Sequence, residues 1–433
     1  MERYHFIGIG GIGMSALASI LLDQGHTVSG SDLVLNERAL YLRKRGAEIF
    51  EGHENTVVHE EAIAVIHSRI PQDHPELRHA KRKIHRLDLF TKIAGQTPVF
   101  AVVGAHGKTS TSALLAHVLH SYDSDTGFKV GGVWKQSGLN GKTGRTKYVL
   151  EGDESDGSFL RIHPEGAIIT NVDADHLDFW GSFFSLKKGY SDFLKTVKKS
   201  EWIFYAAGED EGLVQSGTSY GIGKGDIQAI NLRIHEDGSI FDIIQPSENL
   251  FVKDVYIPLM GEHQVKNALG VFGMAKALGV KLDFIKESFR SYEGVKRRCE
   301  KGRDFTRWKT FLDYGHHPKE LATTFEALKR QYNIPLFVVF EPHKYSRTKN
   351  LFQAFVEVLK IPQAVCILQT YAADEKYDYE GSSEKLAKAL GISVTKKGEI
   401  KTVLEKMSKD SGEKGVLLFI GAGNIDRIFE ECL

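Results

Sequence analysis

The run Val102-Val103-Gly104-Ala105-His106-Gly107-Lys108-Thr109-Ser110 most narrows what this chain can fold into. Its apolar start reads as a buried strand, its glycines as a loop, and the residues from Lys108 onward as a helix. That order builds a phosphate cradle. Backbone N–H groups at a helix N-terminus point at an anion, glycine lets the backbone approach, and a lysine adds charge. The Thr109 hydroxyl suits Mg²⁺. The loop is shorter than G-x-x-x-x-G-K-[ST], which would need glycine at Val102. It is the compact form G-x-x-G-K-T-S, and Gly104 through Ser110 are its candidate nucleotide-phosphate residues.

At 433 residues the chain exceeds one core, and about two to four domains are expected. Lys+Arg and Asp+Glu are equal at 56 each, so no basic field points to nucleic acid. Cys299, Cys366 and Cys432 form no C-x-x-C pair, so reduced thiols and a cytoplasmic location are expected. The start of the chain shows no basic-then-apolar leader, and no apolar run suggests a membrane span.

Residues 1–95 alternate strand and helix, as a parallel sheet with crossover helices requires. Gly95-Gln96-Thr97-Pro98 is a linker by its glycine and proline. Residues 96–293 hold the phosphate loop, further strands, a β-rich stretch over 215–258 and a helix over 263–278. Residues 294–433 read as a third α/β unit. Its strands are near 309–314, 336–341, 364–368 and 416–420.

Gly8-Ile9-Gly10-Gly11-Ile12-Gly13 fits G-x-G-x-x-G between a strand and a helix starting near Met14. Asp32 follows at ribose-binding distance. Three readings stay open: a tight turn with no ligand, a dinucleotide site, and a nucleotide-sugar site. Gly10, Gly11, Ile12, Gly13 and Asp32 are the candidate substrate-binding residues here. Two anion cradles in two domains suit a protein that joins ATP to a nucleotide-linked substrate better than a dehydrogenase.

Glu151-Gly152-Asp153-Glu154-Ser155-Asp156 and Asp173-Ala174-Asp175-His176-Leu177-Asp178 each end a strand, where ligands bind in open α/β sheets. Packed carboxylates repel unless a cation joins them, and Mg²⁺ takes oxygen ligands. A solvated acidic loop is the plain alternative. Beside a phosphate loop the clusters favour a metal–nucleotide site. Asp313-Tyr314-Gly315-His316-His317-Pro318 and Glu341-Pro342-His343-Lys344-Tyr345-Ser346-Arg347-Thr348 mark two more strand–helix junctions. Adjacent histidines lack the i, i+4 spacing of helical zinc ligands. They and Arg347 suit stabilising a phosphoryl group or clamping a carboxylate, or else capping helices.

These motifs in this order resemble the Mur ligases. The resemblance spans nearly the whole chain, including Gly294-Val295-Lys296-Arg297-Arg298 and Gly421-Ala422-Gly423. It implies a Rossmann-like UDP-sugar-binding domain, a central P-loop ATPase-like α/β domain, and a Rossmann-like C-terminal domain for the amino acid. It implies ATP and Mg²⁺ as cofactors, UDP-N-acetylmuramate and L-alanine as substrates, and an acyl phosphate on the way to an amide. By the same resemblance Lys108, His316 and Arg347 are the candidate catalytic residues. Thr109, Glu151 and His176 would hold metal, with Glu154 the alternative to Glu151. Asn267 would bind adenine. Arg298, Tyr314, Lys344 and Arg347 would contact substrate. No nucleic-acid or membrane partner is implied, and a monomer or weak homodimer is expected.

The chain departs from the family pattern at Ala105, at Gln264 and at Lys344, where a point charge replaces an arginine fork. Lys187 and Lys188 are not assigned the carbamylation known in sister ligases. The motif around Arg347 favours the alanine-adding branch over the recycling ligase that adds a tripeptide. A non-catalytic nucleotide-binding regulator is a further reading, opposed by the intact Lys108, Glu151 and His176 set.

Overall fold

The computed structural model describes residues 1–433 except 55–57, 69, 79, 374 and 413, with Asp178 described by its backbone alone. The Asp178 side chain named in the acidic motif thus lies outside the described residues. The described residues form three α/β domains, each built on one sheet.

In the first domain, β1 (Arg3–Ile7), β2 (Thr27–Asp32), β3 (Glu48–Glu51), β4 (Ile63–Ile66) and β5 (Arg82–His85) form a parallel sheet. Its order is β3-β2-β1-β4-β5. Helices α1 (Ile12–Asp23), α2 (Glu37–Lys44) and α3 (Arg86–Ala94) accompany it. The strand order reverses beside β1, so the Gly8–Gly13 loop opens at the switch point, where ligands bind in such sheets. Helix α1 starts at Ile12, two residues earlier than the sequence suggests, because Gly11 takes the extended N-cap position without a side-chain cap.

Every residue of α1 from Met14 to Leu21 is buried. The sheet takes one face and a hairpin of the central domain takes another. That hairpin is β7 (Thr126–Trp134) and β8 (Leu139–Lys142). Asn140 Nδ2 donates to the Ile12 carbonyl at 2.6 Å and to Ser15 Oγ at 3.0 Å. Gly141 of β8 permits the approach, since a Cβ there would lie 2.5 Å from the Ala16 carbonyl oxygen, while Leu17, Ile20 and Leu21 each contribute about 1.5–3 kcal/mol by burial.

A buried carboxylate ties the first domain together. Glu76 Oε2 lies 2.8 Å from His5 Nε2, Oε1 lies 2.7 Å from His53 Nδ1, and Ser31 Oγ donates to Oε1 at 2.7 Å. Bonds from His5, Ser31 and His53 hold its pKa below the ordinary value against the effect of burial.

The central sheet has ten strands in the order β15-β14-β13-β12-β11-β10-β6-β9-β7-β8. Its remaining strands are β6 (Val99–Val103), β9 (Lys147–Glu151), β10 (Gly166–Ile169), β11 (Ile203–Ala206), β12 (Thr218–Ile222), β13 (Ile227–His235), β14 (Gly238–Gln245) and β15 (Leu250–Ile257). Its helices are α4 (Lys108–Tyr122), α5 (Leu177–Trp180), α6 (Phe183–Thr196), α7 (Glu262–Ala277) and α8 (Leu282–Arg290). The stretch expected to be β-rich is the four strands β12–β15.

The third sheet runs β16-β17-β20-β18-β19. Its strands are β16 (Glu300–Lys301), β17 (Trp308–Asp313), β18 (Leu336–Glu341), β19 (Ala364–Ile367) and β20 (Gly415–Gly421). Among the described residues of this sheet, β16 pairs antiparallel with β17 and the other strands pair in parallel. Its helices are α9 (Pro318–Tyr332), α10 (Tyr345–Asn350), α11 (Phe352–Val358), α12 (Ser383–Ala389), α13 (Ile400–Ser411) and α14 (Ile425–Cys432).

By contacts the chain divides into two compact units. One holds the first sheet and most of the second, without the end of β13 and the start of β14. The other comprises residues 233–239, 259–262 and 296–433. No helix among the described residues is long and apolar enough to cross a membrane, and all three cysteines are free.

Candidate active site

Strands β6, β9 and β10 are neighbours, paired β10-β6-β9 in parallel. Their C-terminal ends therefore open on the same side of the sheet. β6 delivers the phosphate loop, β9 delivers Glu151 and the acidic run, and β10 delivers Thr170, Asn171 and the segment to His176.

The loop is held from β10. Thr170 Oγ1 and Asn171 Nδ2 donate to the His106 carbonyl at 2.6 and 2.9 Å, and His106 N donates to Asn171 Oδ1 at 2.9 Å. Gly104 has φ +139°, and a Cβ there would lie 2.1 Å from Thr170 Oγ1, so only glycine fits. Gly107 is the left-handed N-cap of α4, which begins at Lys108. Asn267, buried on α7, lies over it, with Oδ1 3.0 Å from the position a Gly107 Cβ would take. Gln264 Oε1 accepts from Asn267 Nδ2 at 3.2 Å. Ala105 donates from its N–H to the Asn171 carbonyl at 3.2 Å, and Ser110 is half-buried in the first turn of α4.

Lys108 Nζ donates to the carbonyls of Gly104 and Ala105 at 2.5 and 3.1 Å and to Glu154 Oε1 at 2.8 Å. Glu154 is 1% exposed. Burial pushes its pKa up to about 7, with Lys108 pulling the other way. Its Oε2 is buried with no hydrogen-bond partner among the described residues. His176 Nε2 lies 3.7 Å from Glu154 Oε1 and 3.6 Å from Asp175 Oδ2. Glu151 accepts from Thr109 Oγ1 at 3.0 Å, Ser112 Oγ at 3.0 Å and Gly131 N at 2.7 Å. The two candidate acids thus divide: Glu151 faces Thr109, and Glu154 faces Lys108 and His176.

In the first domain Asp32 Oδ2 accepts from Gly10 N at 2.8 Å. Asn36 Nδ2 and Arg38 Nε both donate to the Gly10 carbonyl, at 3.0 and 2.8 Å. The carboxylate read as a ribose ligand therefore also shapes the glycine loop. Sequence reading missed Arg86, at the start of α3. Its Nη2 lies 3.1 Å from Asp153 Oδ2 and 3.2 Å from Asp156 Oδ2. The signal was available, since a dense acidic run requires cations, but no spacing rule points to a residue 67 positions away.

In the C-terminal unit, β17 and β18 flank β20. Residues just before β16 and residues following β17 and β18 form a second cluster. Arg298 lies over the Tyr314 ring, 5.2 Å from its centroid. Arg297 is pinned to Asp426 Oδ2 at 3.1 Å and the Gly421 carbonyl at 3.0 Å. His316 lies edge-on to Tyr314 and 5.7 Å from the His343 ring. His316 Nδ1 is 3.2 Å from the Tyr314 carbonyl. That oxygen can only accept, so Nδ1 carries the proton and Nε2 the lone pair. Burial pushes the His316 pKa down to about 4, with Glu320 opposing and Arg347 assisting. Arg347 Nη1 bonds His343 Nδ1 at 3.0 Å, and His343 stacks on Tyr371. Lys344 has φ +72° and ψ 134°, a conformation that costs a side-chain-bearing residue about 1–3 kcal/mol and occurs mostly at functional sites. His317, by contrast, is a helix cap: it forms a capping box with Glu320 at the start of α9.

Three family descriptions match consecutive parts of the chain: "Mur ligase family, catalytic domain" over residues 3–96, "Mur ligase middle domain" over 102–275, and "Mur ligase, glutamate ligase domain" over 297–423. The UDP-N-acetylmuramate--L-alanine ligase of Aquifex aeolicus is 36% identical, covering 100% of this chain and 97% of its own length. That of Endomicrobium trichonymphae is 34% identical, at 100% and 98% coverage. Among solved structures, the UDP-N-acetylmuramate-alanine ligase MurC of Thermotoga maritima superposes with TM-score 0.84 at 26% identity, covering 100% of this chain and 98% of the other. The murein peptide ligase of Psychrobacter arcticus, at 20% identity and TM-score 0.70 with the same coverage, shares the fold. The chain belongs to the Mur ligase family.

Proposed function

We propose that this chain is an ATP-dependent ligase that joins L-alanine to the lactyl carboxylate of UDP-N-acetylmuramate through an acyl phosphate, a step of peptidoglycan precursor synthesis. One observation carries the reading. Lys108, Glu151, Glu154 and His176 converge from three strand ends on one phosphate loop, in a chain similar end to end to relatives named for that reaction. The proposed domains are 1–95 for the UDP sugar, 96–293 for ATP and 294–433 for alanine.

A carboxylate is a poor electrophile; its oxygen attacks the γ-phosphorus, the bond to ADP breaks, and the acyl phosphate then carries a leaving group. Attack by one anion on another needs positive charge at the reacting phosphoryl group. Lys108 supplies part of it by moving from its loop carbonyls and Glu154 to the β- and γ-phosphates. Mg²⁺ fits the remaining donors: the Thr109 hydroxyl and Glu151 are hard oxygen ligands, His176 adds an imidazole, and Glu154 Oε2 is a buried acceptor with no hydrogen-bond partner among the described residues. Bound there, Mg²⁺ would supply further charge against that repulsion. Asn267 contacts the adenine.

The backbone of Gly10 to Gly13 takes the diphosphate of the UDP sugar. Asp32 sets the loop through Gly10 N–H and offers Oδ1 to a ribose hydroxyl. In the C-terminal domain Arg347 clamps the alanine carboxylate, with Lys344, Tyr314 and Arg298 as further contacts. A neutral His316 accepts a hydrogen bond from the amine at Nε2. With a pKa near 4 it orients the amine, and the departing phosphate is the stronger base for its proton. The tetrahedral adduct collapses to the amide and inorganic phosphate.

The test is phosphate release by purified protein. Release should require ATP, Mg²⁺, UDP-N-acetylmuramate and L-alanine together. Release with the tripeptide but not alanine would select the recycling reaction, and release without the sugar nucleotide would reject the ligase reading.

A further inference from the structure

Lys129 is a charged residue that no step above uses. It lies on β7 between Phe128 and Val130, which enter the core at 0% and 2% exposure. Side chains alternate along a strand, so Lys129 turns to the opposite face, toward α1. It is itself only 7% exposed.

No described acceptor pairs with its ammonium. The carboxylates that act on it are Glu151, Asp153 and Asp156, and each is engaged elsewhere. Glu151 holds Thr109, Ser112 and Gly131 N, while Asp153 and Asp156 hold Arg86. Burial, then Arg86, pushes the Lys129 pKa down to about 8. A buried cation with no acceptor bonded to it among the described residues is costly.

The ammonium points at the glycine loop of the first domain. Lys129 Nζ is 3.9 Å from the position a Cβ on Gly13 would occupy, and Arg86 Nη1 is 3.2 Å from the same position. Arg86 Nε is buried with no hydrogen-bond partner among the described residues. Two cations thus converge on the first turn of α1, where Gly11 provides no side-chain cap and the helix dipole favours negative charge.

We propose that Lys129, assisted by Arg86, is a positioning residue for an anionic group of the sugar nucleotide, closing from the central domain the cradle that α1 opens. This rests on the UDP-sugar reading. That ligand carries two such groups, the diphosphate and the lactyl carboxylate. Both chemistries suit an ammonium beside a guanidinium.

The experiment is calorimetric titration of the full chain and of Lys129→Met with UDP, UDP-N-acetylglucosamine and UDP-N-acetylmuramate. Methionine keeps the length and removes the charge, so the variant should melt no lower than wild type. Lys129→Gln serves as a second uncharged variant, and Lys129→Arg should recover part of any loss. A loss of about 10-fold shared by all three ligands places the diphosphate against Lys129. A loss confined to UDP-N-acetylmuramate places the lactyl carboxylate there. Unchanged affinity of a folded variant for all three overturns the proposal. Wild-type protein that binds none of them overturns the UDP-sugar reading instead.

Discussion

Lys108 Nζ and Glu154 Oε1 stand 2.8 Å apart, so the lysine assigned to the ATP phosphates is held by a carboxylate of the acidic run. Phosphate and carboxylate compete for one ammonium. Lys108→Ala should abolish turnover while UDP-N-acetylmuramate affinity, measured by calorimetry, stays within about twofold. A comparable loss of sugar-nucleotide binding in a folded variant would contradict two separate cradles.

Glu154 also makes a prediction about protons. Its pKa near 7 means that much of it is protonated at neutral pH. An ATP-bound metal should favour the carboxylate and expel that proton. Binding of MgATP at pH 7, titrated in buffers of different ionisation enthalpy, should release a fraction of a proton that Glu154→Gln no longer releases. Equal release by wild type and variant would remove Glu154 from the site.

Glu76 carries the reverse shift. A carboxylate whose folded pKa is depressed adds stability above its unfolded pKa and loses it as pH falls through the folded value. Glu76→Gln should therefore melt lower than wild type at pH 7, by about 1–3 kcal/mol in stability. The gap should narrow on acidification below the unfolded glutamate pKa. A gap that widens toward acid would reject the assignment.

The Arg347 fork predicts an effect on one substrate. Arg347→Lys keeps a charge but loses bidentate geometry. It should raise KM for alanine by about 10- to 100-fold and leave ATP affinity unchanged. An unaltered alanine KM would place the amino-acid carboxylate elsewhere.

Much of this arrangement is legible in the sequence, for local reasons. Both glycine loops pair a buried strand with a helix start over a few residues, so Gly8–Gly13 and Gly104–Ser110 declare themselves. The third-domain strands are apolar runs, and the expected 336–341 matches the observed Leu336–Glu341. What stays hidden depends on partners far away in sequence. β5, Arg-Lys-Ile-His, has no apolar pattern and takes its strand form from pairing with β4. Lys129 reads as an ordinary strand lysine until α1 covers it. His5, Ser31, His53 and Glu76 meet only once the sheet and the helical turn after β4 are assembled. The hydrogen bond from Gly10 to Asp32 is likewise a three-dimensional fact that the spacing of the motif does not announce.

The most direct measurement uses UDP-N-acetylmuramate labelled with ¹⁸O in both lactyl carboxylate oxygens. If that carboxylate attacks the γ-phosphate and alanine then displaces phosphate from the acyl carbon, one label must leave with phosphate. Mass spectrometry of a complete reaction should show one ¹⁸O per inorganic phosphate and one in the amide product. Unlabelled phosphate, or label in AMP, would contradict the acyl-phosphate ligase.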